Sequence, residues 1–210
     1  VSSGLTPGQP AGVVADDFQI VTPSVFFWQA YDPAVKCILS SCAIKTAAGL
    51  ILIDPIPLEA AALAELAAGA SPAAVVLTNG NHGRAAAAYR DRFGIPVLAP
   101  GDAVSDLEVT PDTTLADGDV APGGLRVISL PGAGPGEIGL LGGRVICVGD
   151  AIINLDPEGL RLLPAKYCSD AGRLPDSLRK LLSCEFEVMT FAHGAPLVAA
   201  ARQCLELLLA

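Results

Sequence analysis

Val75-Val76-Leu77-Thr78-Asn79-Gly80-Asn81-His82-Gly83-Arg84 is the stretch on which the fold of this 210-residue chain turns. Ala73–Leu77 is a short apolar run that reads as a buried strand. A polar loop follows, and Arg84–Phe93 then reads as a helix closed by Gly94, with Tyr89 and Phe93 stacked at i, i+4. Upstream, Leu50–Ile53 is another wholly apolar strand, ending on Asp54. Pro57–Ala68 is an Ala- and Leu-rich helix with Pro57 near its start and Gly69 just past its end. Downstream, Val97–Ala99 is a further short strand. A strand–helix–strand–helix–strand run is what parallel pairing needs, because parallel neighbours must be joined by a crossover.

Hairpins flank this run. Phe18–Ala30 is dense in Val, Ile, Phe and Trp and broken at Pro23. Val35–Thr46 alternates partially with period two (Val35, Cys37, Leu39, Ser41, Ala43), and Ala47-Ala48-Gly49 makes a turn. On the other side, Leu125–Leu130 is a strand, and Ile138–Leu141 and Arg144–Val148 flank a Gly142-Gly143 turn. Leu174–Leu182 is a helix with Pro175 and Asp176 in its first turn. Glu187–Phe191 is a strand, and Pro196–Leu209 is a closing helix with Val198, Ala201, Leu205 and Leu208 on one stripe. The chain thus reads twice as hairpins followed by alternating α and β. That predicts two similar halves packed sheet on sheet with helices outside, in one domain over 1–210. The first twelve residues, rich in Ser, Gly and Pro, read as a loose lead-in.

Composition narrows the function classes. Hydrophobic residues make up 51 % and charged residues 17 %, with a mean hydropathy of +0.51. This is the composition of a globular chain with a thick core. With so few charges to cover the surface, self-association as a homodimer is expected. A net charge of −9, a pI near 4.5 and scattered Lys and Arg exclude a phosphate backbone as partner. The longest apolar stretches, such as Gly49–Ile53 and Ala195–Ala201, fall short of the roughly 20 residues of a membrane span. No charged segment followed by an apolar run opens the sequence, so no signal peptide is expected. The six cysteines (Cys37, Cys42, Cys147, Cys168, Cys184, Cys204) show no CxxC spacing and four sit in apolar patterns, which predicts reduced, buried thiols in a cytoplasmic protein.

Five segments, in order, resemble the signature regions of the metallo-β-lactamase superfamily. Leu50-Ile51-Leu52-Ile53-Asp54 is similar to that family's strand ending in Asp. Thr78–Arg84 resembles its Thr-His-x-His-x-Asp-His, and Leu130–Leu140, with Pro131-Gly132 and Pro135-Gly136, its Pro-Gly-His-Thr-Pro-Gly-Ser. Val148-Gly149-Asp150-Ala151 resembles its Gly-Asp, and Ala192-His193-Gly194 its terminal Gly-His-Gly. Each match is weak alone; five in order from Leu50 to Gly194 are specific. The resemblance implies an α/β (α+β) fold, an αβ/βα four-layer sandwich with a metal site at one edge.

The same resemblance implies that the metal site is largely dismantled. The two histidines of the first site fall on Asn79 and Asn81, the Asp and His of the second on Gly83 and Arg84, and the histidine of the Pro-Gly region on Ala133. Only Asp150, the bridging carboxylate, and His193, the last ligand, match. Two of seven ligands do not hold two zinc ions, and an Asn amide oxygen is a poor substitute. Asp54, which in the family holds the metal loop by accepting backbone hydrogen bonds, reads equally as a strand-to-turn exit at Asp54-Pro55. His193 before Gly194 reads equally as a loop histidine bonded to a carbonyl.

Two functions are therefore weighed. The favoured one is a hydrolase homologue that binds no metal and serves as a binding or structural protein, its small-molecule ligand unknown. There Arg84 would replace the cations by donating to Asp150 and to Asp54. The alternative is a metal-dependent hydrolase with one zinc on His82, Asp150 and His193. It is set lower because His82 falls at a loop position whose side chains tend to point away. Other schemes lack parts: there is no Gly-x-Ser-x-Gly elbow, Cys168 after Lys166-Tyr167 has no evident base, and the glycines of Pro131–Gly136 lack the strand-to-helix context of a phosphate loop.

Overall fold

A computed structural model describes residues 13–210; the expected lead-in over 1–12 lies outside the described residues. The first half runs β1 (Gln19–Thr22), β2 (Val25–Asp32), β3 (Cys37–Thr46), β4 (Gly49–Ile53), α1 (Ala60–Gly69), β5 (Pro72–Val76), α2 (Ala86–Phe93), β6 (Val97–Pro100) and β7 (Thr113–Leu115). The second runs β8 (Val120–Ala121), β9 (Leu125–Ser129), β10 (Ile138–Gly142), β11 (Val145–Val148), β12 (Ile152–Leu155), β13 (Gly159–Leu162), α3 (Leu174–Arg179), β14 (Val188–Thr190) and α4 (Ala201–Leu208).

β1 to β7 form a seven-stranded sheet in chain order, antiparallel up to β4 and parallel from β4 to β7. The second sheet has the order β14-β11-β10-β9-β8, with β11 and β14 parallel, and β12 pairs with β13 in a separate ribbon. The apolar strands β4 and β11 explain the layering. Side chains alternate across a strand, so Leu50 and Leu52 of β4 meet α1 and α2, while Ile51 and Ile53 face the second sheet. In β11, Val145 and Cys147 face the first sheet, and Ile146 and Val148 meet α3 and α4. Strands covered on both faces read as continuous apolar runs. Three cores follow, one between the sheets and one under each helical layer, which is the expected αβ/βα four-layer sandwich.

Helix starts are where the structure departs from the sequence. α1 begins at Ala60, not near Pro57, because Leu58 is bridged to Ala15, with Glu59 N–H donating to Ala15 O at 2.9 Å. α2 begins at Ala86, not Arg84, because Arg84 is left-handed with φ +36°. α4 begins at Ala201, not Pro196: Leu197 exchanges two backbone bonds of 2.9 Å with Met189, and Ala200 has φ +54°. Val198 is thus exposed rather than on the helical stripe, while Ala201 and Leu205 are buried as expected. The segment Lys180–Ser183 continues α3 as a 3₁₀ turn. Among the described residues no helix is long and apolar enough to cross a membrane.

Candidate metal centre

Four segments meet at one edge of the sandwich. β4 leads directly into Asp54, the β5–α2 loop brings Thr78 to Arg84, β11 runs into Gly149-Asp150, and the segment after β14 brings His193. Asp54 is buried and left-handed at φ +45°, a conformation that Asp tolerates better than most residues. Its Oδ1 accepts from Thr78 N at 2.8 Å and its Oδ2 from the Thr78 hydroxyl, tying loop to strand.

His82 points inward. Its Nδ1 lies 2.9 Å from Asp54 Oδ2 and its Nε2 3.1 Å from Asp150 Oδ1. That overturns the expectation that position 82 faces away: His82 is 2 % exposed and spans two carboxylates. His193 approaches the same oxygen from the other side, with Nε2 3.1 Å from Asp150 Oδ1. Its Nδ1 is 2.8 Å from Ile38 O, and the Cys37 thiol lies 3.4 Å from that same nitrogen. The second Asp150 oxygen accepts from Asn79 Nδ2 at 3.1 Å.

Arg84 does not do what the sequence suggested. It donates to no carboxylate; Nη1 bonds Ser40 O at 2.7 Å and Asp54 O at 3.0 Å, and Nη2 bonds Ala192 O at 3.3 Å. The left-handed backbone at Arg84 turns the side chain beneath the site, where it ties three segments together by their carbonyls. Asn81 is exposed and donates only its N–H, to Asn79 Oδ1 at 2.8 Å. Ala133 is packed in the core under α3 and offers no ligand atom.

The electrostatics follow from this crowding. Burial opposes the charge on every group, yet Asp150 is held well below the carboxylate range, chiefly by the charge of His82, and Asp54 is lowered by His82 as well. Against burial, Asp150 and Asp54 raise His82 to about 9. His193 is raised to about 10 by its hydrogen bonds to Asp150 and Cys37. Glu137, unassigned from the sequence, is buried beside them and pushed up to about 8 by burial and the Asp150 charge. Its only sequence signal was a carboxylate at the mouth of an apolar strand, Glu137-Ile138. Cys37 was likewise missed, since a thiol inside a strand pattern carries no mark of its partner, and Thr78, part of the matched loop motif, was given no role of its own.

Comparison with known proteins agrees with this architecture. The sequence model of the metallo-β-lactamase superfamily matches residues 19–206. The chain belongs to the metallo-β-lactamase superfamily. A search of curated proteins finds no match. Among solved structures, the DIM-1 metallo-β-lactamase exposed to ceftazidime superposes with a TM-score of 0.74 at 15 % identity, over 94 % of this chain and 97 % of that one. A metallo-β-lactamase from Pontibacter korlensis gives 0.70 at 18 %, over 91 % and 98 %. The mono-zinc form of FIM-1 from Pseudomonas aeruginosa gives 0.71 at 16 %, over 94 % and 95 %. At such identities these likenesses describe the fold. Within that superfamily fold, the donor atoms of His82, Asp150 and His193 lie within 4.8 Å of one another. Two atoms bound to one zinc at about 2.0 to 2.1 Å with tetrahedral angles stand about 3.3 Å apart. The two contacts of 3.1 Å to Asp150 Oδ1 fit that spacing.

Proposed function

We propose that this metallo-β-lactamase-superfamily chain binds one divalent metal ion, zinc by donor type, through His82 Nε2, Asp150 and His193 Nε2, and is a metal-dependent hydrolase with a reduced site. One observation carries the reading. Both imidazoles commit Nδ1 to an acceptor, His82 to Asp54 Oδ2 at 2.9 Å and His193 to Ile38 O at 2.8 Å. Nδ1 is then the protonated nitrogen in each neutral ring, and both Nε2 lone pairs face a single carboxylate oxygen. Binding the ion would displace a proton from each ring, since His82 and His193, raised to about 9 and about 10, otherwise carry one on Nε2 as well as on Nδ1. Acceptors behind metal-bound histidines do this orienting in metal sites generally, and three protein donors with an open position suit catalytic zinc. When bound, the ion supplies Lewis acidity for hydrolysis. His193, whose side chain is 17 % exposed against 3 % for His82, marks the side from which a ligand would approach.

A second reading keeps the same coordinates. Protons on both Nε2 atoms also supply the cation, at distances that are good hydrogen bonds. The chain is then a non-catalytic relative whose imidazolium ions, rather than Arg84, neutralise Asp150. Isothermal titration of chelator-treated protein with zinc separates the two. Stoichiometric binding that is lost in His193→Ala supports the hydrolase reading, and no heat of binding supports the proton-held one.

A further inference from the structure

We infer that Asn79 and Glu137 together restrict this centre to a single metal ion by occupying the side of Asp150 from which a second would bind. This rests on the reading that the site takes metal. A carboxylate bridges two cations by offering one oxygen to each or by sharing one between them. Here Oδ1 already faces both imidazoles, and Oδ2 accepts from Asn79 Nδ2 at 3.1 Å. The orientation of that amide is fixed by its other end. Asn79 Oδ1 accepts the Asn81 N–H at 2.8 Å, so the NH₂ group must face the carboxylates. The same nitrogen donates its second hydrogen to Glu137 Oε2 at 2.7 Å, which uses the amide's full donor capacity.

Glu137 is held in turn. It is 2 % exposed, it sits at the end of the loop between β9 and β10, and its Oε1 accepts Ala151 N–H at 3.1 Å. Gly149 makes room for it, since a Cβ there would stand 2.7 Å from Glu137 Oε1. Asp150 therefore cannot turn Oδ2 toward a second cation without displacing Asn79, and Asn79 cannot leave without stranding a buried carboxyl. The hydrogen bonds of Glu137 go to Asn79 and Ala151 rather than to a donor atom of the metal set, so it is a positioning residue that acts through Asn79.

The test is metal stoichiometry and affinity, read by native mass spectrometry and by competition with a chromophoric chelator, using zinc alone on the full chain. Wild type in excess zinc is expected to carry one ion. Asn79→Asp keeps the acceptor for Asn81 N–H but turns the amide donor into a third carboxylate beside Asp150 and Glu137. It is expected to carry two. Glu137→Ala is expected to weaken the first ion about 10- to 100-fold, the range seen when the partners behind metal ligands are removed. Circular dichroism confirms that each variant is folded, and the two substitutions fail independently. Two ions at Asp150 in wild type would overturn the inference while upholding the metal reading. One ion in Asn79→Asp, or unchanged affinity in Glu137→Ala, would also overturn it. No ion in wild type would sink both readings together.

Discussion

Replacing Arg84 by Ala is expected to destabilise the protein by about 3 to 6 kcal/mol, through lost carbonyl contacts rather than through a stranded carboxylate. The guanidinium donates at 2.7 and 3.0 Å to Ser40 O and Asp54 O, and more weakly at 3.3 Å to Ala192 O. A hydrogen bond from a charged donor contributes about 1.5 to 3 kcal/mol, so two good bonds and one long one give the stated range. Against a total stability of roughly 5 to 15 kcal/mol this is a large loss. Arg84→Gly is expected to lose about 1 kcal/mol less than Arg84→Ala, because glycine relieves the left-handed backbone at φ +36°. Urea unfolding followed by tryptophan fluorescence reports both, with Trp28 buried in the core. Since no Arg84 nitrogen bonds Asp150, adding Asp150→Asn should not rescue Arg84→Ala; the coupling should stay below about 1 kcal/mol. A loss under 1 kcal/mol, or a double variant that recovers most of it, would refute the clamp and restore the carboxylate as the main partner.

Gly194→Ala should cost at least about 2 kcal/mol and displace His193. Its φ is +97° and a Cβ would fall on the Asn154 carbonyl, so the check is a lower Tm together with lost zinc affinity. Metal-free protein should lose stability from pH 6.5 to pH 10. A histidine whose folded pKa is raised contributes fully below its unfolded value and loses that contribution as pH climbs through the folded one. For His82, raised from 6.5 to about 9, this is on the order of 3 kcal/mol. His193, raised to about 10, acts the same way and extends the window. Glu137, raised to about 8, adds to the fall between pH 4.5 and 8, because only the unfolded chain then sheds its proton freely. Tm measured with chelator across this range should decline; a flat or rising profile would mean that the imidazoles are not held as cations.

The layered fold was legible because its signals are local. β4 and β5 announce themselves as continuous apolar runs, and Gly94 marks the end of α2 with φ +64°. Helix starts were not, since a β-bridge at Leu58 and another at Leu197 depend on Ala15 and Met189, far away in sequence. β12 and β13 were missed because Asn154 and Arg161 interrupt apolar patterns of only four residues each. At the site, ordered motifs identified Asp54, Asp150 and His193 as neighbours, while the direction of two side chains decided which groups meet there. One left-handed residue, Arg84, turned the guanidinium to carbonyls, and the loop before it turned His82 inward. Neither direction is written in residue type or spacing.

The most direct test of the one-metal centre is the metal content and melting temperature of protein purified without chelator. One zinc per chain is expected. Restoring zinc to stripped protein at about 1,000 times its Kd contributes about 4 kcal/mol, a rise in Tm of roughly 10 °C for a domain of this size. The rise should vanish in Asp150→Asn and in His193→Ala. Protein that carries no metal and melts at the same temperature with and without zinc would contradict the metal centre and leave His82 and His193 as the cations of a protein that binds no metal.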